Sequence, residues 1–260
     1  MSTYRAAALL KPPVWTWEVP LYFFIGGAAG VAAVIAAAAQ FSGLPLHALA
    51  RDAKWIAAIG ALVSPLLLVS DLGRPARFLN MLRVFKRQSP MSVGVWTLVL
   101  FSNAAVVSLL PIGALASAAT IVAAMTGAVL ATYTGVLIGA TAIPVWARNV
   151  DILPVHFGAS GLGAAVSMLE LIGHRTPSMN ALGIVAASVE TVLVLVLLHR
   201  GASSGRLMHG AELLSGPLPL ALRIVGAQIP AIRVATAALT IAGSLLTRFA
   251  WIDAGRRSAL

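Results

Sequence analysis

Cysteine is absent from this 260-residue chain. That removes disulfides, thiol chemistry and any cysteine-ligated iron–sulfur cluster, and it says nothing about compartment. Charge is scarce as well: 10% of the residues are charged and 59% hydrophobic, where a soluble domain carries about 25% charged residues. So little charge cannot clothe a surface in water, and the chain reads as a polytopic membrane protein. Acidic groups are rarest, with 8 Asp and Glu against 18 Lys and Arg and a net charge of +10. The cations fall between apolar runs, not along one polar face. They fit orientation in the bilayer and contact with anionic lipid headgroups rather than nucleic acid. There is no phosphate-binding glycine loop, no nucleotide motif and no Asp/Glu/His cluster with metal spacing. A bis-histidine haem needs two facing histidines inside spans, and of the five histidines only His156 lies within one. No haem, metal or iron–sulfur cluster is therefore expected in this chain. Tyr4 to Trp17 holds Arg5, Lys11 and two prolines, so the start does not look like a cleaved signal.

A spanning helix needs about 20 apolar residues. Val19–Ala39 fits, and so does Ala53–Ser70, with Lys54 able to snorkel at its start. Gln88 to Ala147 carries no charge and is too long for one helix. Pro111 and Gly113 divide it into Met91–Leu110 and Ala116–Trp146. Ile152–Ile172 and Met179–Leu198 follow. Leu213–Ile229 is a weak seventh span, with proline and glycine near its start and Arg223 inside it, and Val234–Ile252 is the eighth. Eight crossings collect Arg5, Lys11, the five cations between Ser70 and Ser92, Arg148, Arg200, Arg206, Arg248, Arg256 and Arg257 on one side. Only Arg51, Lys54, Arg175 and Arg233 fall on the other. Seven crossings would nearly level the two sides, so the positive-inside rule favours eight helices with both termini cytoplasmic. Gly26-x-x-x-Gly30 and Gly135-x-x-x-Gly139 have the small-residue spacing of close helix contacts. The similar stretches GGAAGVAA at Gly26 and GASGLGAA at Gly158 hint at two four-helix halves.

Polar groups at membrane depth are costly, and functional by default. Glu18 opens the first span in WTWEVPLY, beside Trp15, Trp17 and Tyr22. The tryptophans read as an interfacial belt, and the carboxylate with Tyr22 one turn further in can hydrogen-bond a polar headgroup. Tyr133 lies mid-span in ATYTGVLIG, and a buried phenol wants a partner. Glu190 is central in the sixth span and Glu170 ends the fifth. Each is protonated, paired or part of a proton path, and Arg223 is a partner for one of them. The segment from Ser70 to Ser92 is the most charged stretch. Phe78 to Arg87 forms an amphipathic helix with Phe78, Met81, Leu82 and Phe85 on one face. Before it, Gly73 and Pro75 force a turn, and Asp71 and Arg74 are spaced to pair. Composition alone would accept a stop-transfer cluster, but a turn with an internal ion pair is more than orientation requires.

The run DLGRPARFLNMLRVFKRQSPMSVGVW, from Asp71 to Trp96, resembles the loop after the second helix in the NrfD/polysulfide reductase membrane-subunit family. WTWEVPLYFFIGGAAG resembles that family's first helix, ATYTGVLIGATAIPVW its fourth and GSLLTRFAWIDAG its last. The resemblance implies eight helices in two four-helix bundles. It suggests an N-terminal segment over 1–18, a first bundle over 19–147 with the amphipathic loop 71–90, and a second bundle over 148–260. It also implies a quinone/quinol-interacting anchor in a prokaryotic inner-membrane oxidoreductase, of polysulfide reductase or formate dehydrogenase type. Its partners would be a ferredoxin-like iron–sulfur subunit and a molybdopterin catalytic subunit. The positions matching the family's quinone pocket are Glu18, Tyr22 and Tyr133. Some family members have histidine or asparagine where Glu18 stands. Asp71, Arg74 and Arg77 would dock the partner or frame the site. Apart from the resemblance, the polar groups at membrane depth, Glu170, Glu190 and Arg223, offer a proton path. The quinone end of the first helix falls on the cation-rich side, so the partner is expected at the cytoplasmic face, whereas several family members carry their catalytic subunits in the periplasm. A secondary transporter, or a structural anchor without a quinone site, would share the same composition.

Overall fold

A computed structural model describes residues 13–74, 76–201 and 205–259. Arg5, Lys11 and Pro75 lie outside the described residues. Eleven helices are present among the described residues: α1 (Glu18–Phe41), α2 (His47–Asp71), α3 (Ala76–Met81), α4 (Pro90–Val107), α5 (Ala114–Gly139), α6 (Pro144–Ala147), α7 (Leu153–Ile172), α8 (Pro177–His199), α9 (Arg206–Ser215), α10 (Pro217–Val225) and α11 (Pro230–Ser258). No strand occurs among them. Seven of the helices, α1, α2, α4, α5, α7, α8 and α11, are long and apolar enough to cross a membrane. The chain is an all-α polytopic membrane protein.

The weak seventh span is a broken helix. α9 and α10 are interrupted at Gly216, whose backbone (φ −115°, ψ −90°) leaves the helical region. Pro217 then lacks the N–H that would continue the ladder. The pair still traverses the bundle. Gly205, before α9, abuts the Arg257 guanidinium near the end of α11, and Arg223, near the end of α10, pairs with Glu170 at the opposite end of α7. Seven long helices and this broken pair together bring both described chain ends to one end of the molecule. There Arg256 donates to the Trp15 carbonyl, Trp15 stacks on Trp146 (centroids 5.5 Å, interplanar 13°), and the Trp146 indole N–H donates to the Trp251 carbonyl at 2.8 Å. Trp15 is thus half-buried and packed on Trp146, while Trp17 is exposed.

Three expected boundaries shift. The fourth span stops at Gly139, not Trp146, because the chain bends and restarts as α6 on Pro144. α2 begins at His47 and takes Arg51, Asp52 and Lys54 into its first turns, where the Lys54 ammonium donates to the Ser108 carbonyl at 3.1 Å. The amphipathic helix is short, ending at Met81, and the chain from 82 to 89 is irregular.

α1 packs on α2 and α5, and α4 on both of these. α7 packs on α8 and α11, with α9 and α10 against α11 and α8. The two groups meet where α1 and α5 contact α7. Glycine sets the closest crossing: a Cβ on Gly30 would lie 2.3 Å from the Gly127 carbonyl oxygen, and one on Gly127 would lie 2.5 Å from that of Gly30. Gly135 is held as tightly, 2.4 Å from the Leu153 oxygen by the same measure, whereas Gly26 has ordinary contacts at 3.4 Å or more. The stretches around Gly26 and Gly158 face one another across this junction, with Gly161 against the Gly27 carbonyl.

Candidate functional site

A cavity of about 90 Å³ opens at the end that holds the termini. α1 contributes Val19, Tyr22 and Phe23, with Trp15 just before it. The end of α2 contributes Leu68 and Asp71, α3 contributes Met81, α4 contributes Met91, Gly94 and Val95, and α5 contributes Tyr133 and Leu137. The lining is apolar apart from two phenols and one carboxylate. Tyr22 and Tyr133 are 2% and 7% exposed. Neither hydroxyl has a hydrogen-bond partner among the described residues, although a buried phenol ordinarily finds one. Tyr133 reaches the cavity only because its neighbour on α4 has no side chain. A Cβ on Gly94 would lie 1.9 Å from the Tyr133 Cζ and 2.1 Å from its oxygen.

Glu18 does not line the cavity. It stands at the rim, where Thr16 donates its hydroxyl toward Glu18 and lies 3.0 Å from Asp71 Oδ1. Thr16 also offers its backbone N–H to the same Asp71 oxygen. A hydroxyl has one proton to donate, so Thr16 can serve only one of the two carboxylates at a time through its side chain. The expected Asp71–Arg74 ion pair does not form. Gly73 adopts φ +64° and turns the chain outward, leaving Arg74 and Arg77 exposed and Asp71 facing Thr16 and the cavity. Sequence spacing gave no sign of that inward role.

The return of the loop explains the Ser89–Pro90–Met91–Ser92 run. Ser89 caps α4 by accepting from the Ser92 N–H, and Pro90 starts the helix. The Ser92 hydroxyl accepts from the Lys86 N–H at 3.0 Å and donates to the Val84 carbonyl at 3.3 Å. The loop is thereby tied to the helix that carries Gly94. Phe85 meets the Trp96 ring edge-on at 6.4 Å.

Glu170, Glu190 and Arg223 separate into two places. Glu170 is buried at the far end of α7 and pairs with Arg223 at 2.9 Å and Arg233 at 2.6 Å. Arg223 also reaches Ser167 at 3.2 Å. Gly183 makes room for this guanidinium, since a Cβ there would lie 2.2 Å from its carbon. Glu190 instead faces His156 on α7, with Nε2 and Oε2 3.2 Å apart and both side chains within 2% of full burial. Arg248 of α11 is wholly buried beside them. Its guanidinium donates to the Phe157 carbonyl at 3.0 Å and lies 4.1 Å over the Phe157 ring. The position of His156 inside a span was visible in the sequence, but its partner on another helix was not. Among the described residues no group of three or more His, Asp and Glu has the geometry to hold a metal.

Residues 7–209 match the family described as "Polysulphide reductase, NrfD". The C subunit of polysulfide reductase from Wolinella succinogenes is 30% identical over 193 residues, which cover 62% of this sequence and 58% of that protein. The match thus spans less than two thirds of the relative's length.

Proposed function

The chain belongs to the polysulphide reductase, NrfD, family, and from that premise we propose that it is the membrane anchor of a multi-subunit oxidoreductase and binds a quinone or quinol headgroup between Tyr22 and Tyr133. The observation that carries this reading is the pair of buried phenols, without hydrogen-bond partners among the described residues, in one apolar cavity. The cavity is smaller than the roughly 300–1,000 Å³ of an enclosing small-molecule pocket. It suits a single ring whose prenyl tail lies outside among the helices.

The chemistry asked of this chain is modest. A quinone carbonyl becomes a stronger acceptor as it gains electrons. A tyrosine hydroxyl aimed at it donates a hydrogen bond and relays a proton. Asp71 at the same wall, linked through Thr16 to Glu18, connects the cavity to protons at the aqueous rim. Trp15, Phe23, Met81 and Met91 keep bulk water from the ring. Electrons come from a ferredoxin-like iron–sulfur subunit, itself served by a molybdopterin-type catalytic subunit, because the chain has no cysteine to hold a cluster. That partner docks on the cavity end, where the exposed Arg74 and Arg77 present cations beside the opening. The cation-rich end faces the cytoplasm by the positive-inside rule, in a prokaryotic inner membrane.

Quinone turnover by the purified complex tests the site. Tyr133→Phe and Tyr22→Phe each remove one donor, and each is expected to weaken quinone binding roughly two- to tenfold, as loss of a hydrogen bond of about 0.5–1.5 kcal/mol implies. Glu18→Gln is expected to slow proton delivery with little change in binding. Wild-type turnover and affinity in both tyrosine variants would remove the site from this cavity. Arg74→Ala with Arg77→Ala is expected to lose the iron–sulfur partner on purification. A periplasmic N-terminal tag would overturn the orientation.

A further inference from the structure

The proposed function uses the first group of helices and leaves unexplained the most deeply buried ionisable groups, which lie in the second. His156 and Glu190 sit on neighbouring helices, both within 2% of full burial, 3.2 Å apart. Neither ring nitrogen and neither carboxylate oxygen makes a hydrogen bond among the described residues. A structural ion pair in this setting would have its remaining lone pairs and protons satisfied. Glu170 accepts hydrogen bonds at Oε1 from Arg223 and Arg233, leaving only its Oε2 without one; in the His156–Glu190 pair both ring nitrogens and both oxygens are without one.

Three further observations bear on what the pair can do. Arg248 is wholly buried, with its guanidinium over the ring of Phe157, the residue that follows His156. Of the other charged groups on the packed elements, His209 faces Glu212 within α9, Arg223 of α10 and Arg233 of α11 are held by Glu170 of α7, Asp253 pairs with Arg257 within α11, Arg256 reaches the Trp15 carbonyl, Glu18 of α1 meets Thr16, and His199 of α8 and Arg206 of α9 are exposed. The break in the seventh span lies against the pair's own helix: Gly216 packs on the backbone between Glu190 and Thr191. Finally, the faces of α7 and α11 that meet next to the pair are lined with hydroxyls. Ser160 and Ser244 touch at 2.7 Å, and Thr240 and Ser167 continue the stripe toward Glu170, all buried.

We propose that His156 and Glu190 form a proton-binding pair inside the second group of helices, which takes up one proton when negative charge enters the tyrosine cavity. The two sites are joined through aromatic contacts: Phe23, which lines the cavity, meets Phe157 at 6.2 Å, and Phe157 meets the His156 ring edge-on at 6.4 Å. The buried setting has an effective dielectric below that of water, so charge at one site is felt at the other. One electron arriving at a bound quinone favours one added proton on the pair, which raises the charge of the cluster by one. The proton leaves when the quinone has gained its two electrons and two protons and the cavity is neutral again. The coupling rests on the quinone reading; proton binding by the pair does not.

Infrared difference spectroscopy on the purified complex tests both parts. Lowering the pH without added quinone is expected to produce a buried carboxylic-acid or imidazole signal that shifts in D2O, is altered in E190D and vanishes in E190Q and H156N. Reducing a bound quinone at fixed pH is expected to raise the same signal in the wild type. Identical pH-difference spectra in the wild type, E190Q and H156N would overturn the proton site, whatever the cavity binds. A pH signal without a redox signal, in complex that still turns over quinone, would overturn the coupling. Complex that binds no quinone but keeps the pH signal would refute the quinone reading and leave the pair standing.

Discussion

Replacing Gly94 with alanine is the sharpest perturbation of the cavity, because it moves Tyr133 without touching it chemically. The added Cβ would lie 1.9 Å from the Tyr133 Cζ, and carbon atoms rest about 3.5–4.0 Å apart. The ring must therefore retreat by roughly 1.5–2 Å, which exceeds the tolerance of a hydrogen bond. Tyr133 lies on a buried face of α5, so the retreat has little free space and carries the usual overpacking cost of about 1–3 kcal/mol in stability. Loss of the phenol's bond to a bound headgroup adds a two- to tenfold rise in Kd, from about 0.5–1.5 kcal/mol. Titrating a quinone analogue into the purified complex, with a thermal melt alongside, separates the two effects. A double-mutant cycle with Tyr133→Phe is the stricter test. Both changes remove the same bond, so their binding penalties are expected to fall well short of additive. Full additivity, or wild-type affinity in the Gly94→Ala variant, would refute the argument that Gly94 positions Tyr133.

Other expectations follow from the packing. Gly30→Ala is expected to lower the melting temperature sharply, since its Cβ meets a backbone carbonyl that cannot rotate away, whereas Gly26→Ala is expected to be near neutral. Glu170→Gln leaves buried Arg223 and partly buried Arg233 without their anion and is expected to destabilise by about 3–5 kcal/mol, read by unfolding in detergent. At the surface, the Arg200 guanidinium beside Asp151 holds that carboxyl below its usual range. The folded-state value is depressed, so any stabilisation is present above the unfolded carboxylate range and lost as pH falls through the folded value. Asp151→Asn is therefore expected to have a small effect at neutral pH, weakened by salt, and none in strong acid.

The spans were legible wherever an apolar run was bounded by charge or proline. Leu213–Ile229 was not legible as two half-helices, because Gly216, Pro217 and Pro219 give the same signal whether they end a helix or only break it. Its boundaries were set by tertiary partners, Arg257 for Gly205 and Glu170 for Arg223. In the site, Tyr22 and Tyr133 were visible through the family resemblance, and the structure brings them to one cavity. Asp71 was misread because a three-residue spacing to Arg74 suggests an ion pair only if the chain continues as a helix, and Gly73 turns it away. The His156–Glu190 pair lay beyond sequence reasoning, because nothing in 33 intervening residues states which faces of α7 and α8 meet.

The tryptophan contacts at the cavity end carry a consequence for biosynthesis. Trp15 forms part of the cavity wall and is made before α1. It is held there by Trp146, whose indole is anchored on Trp251, and by Arg256; Trp251 and Arg256 emerge only with α11. A nascent polypeptide that stalls before α11 therefore lacks two of the groups that hold this wall. Completion of the cavity wall thus waits on the last described helix.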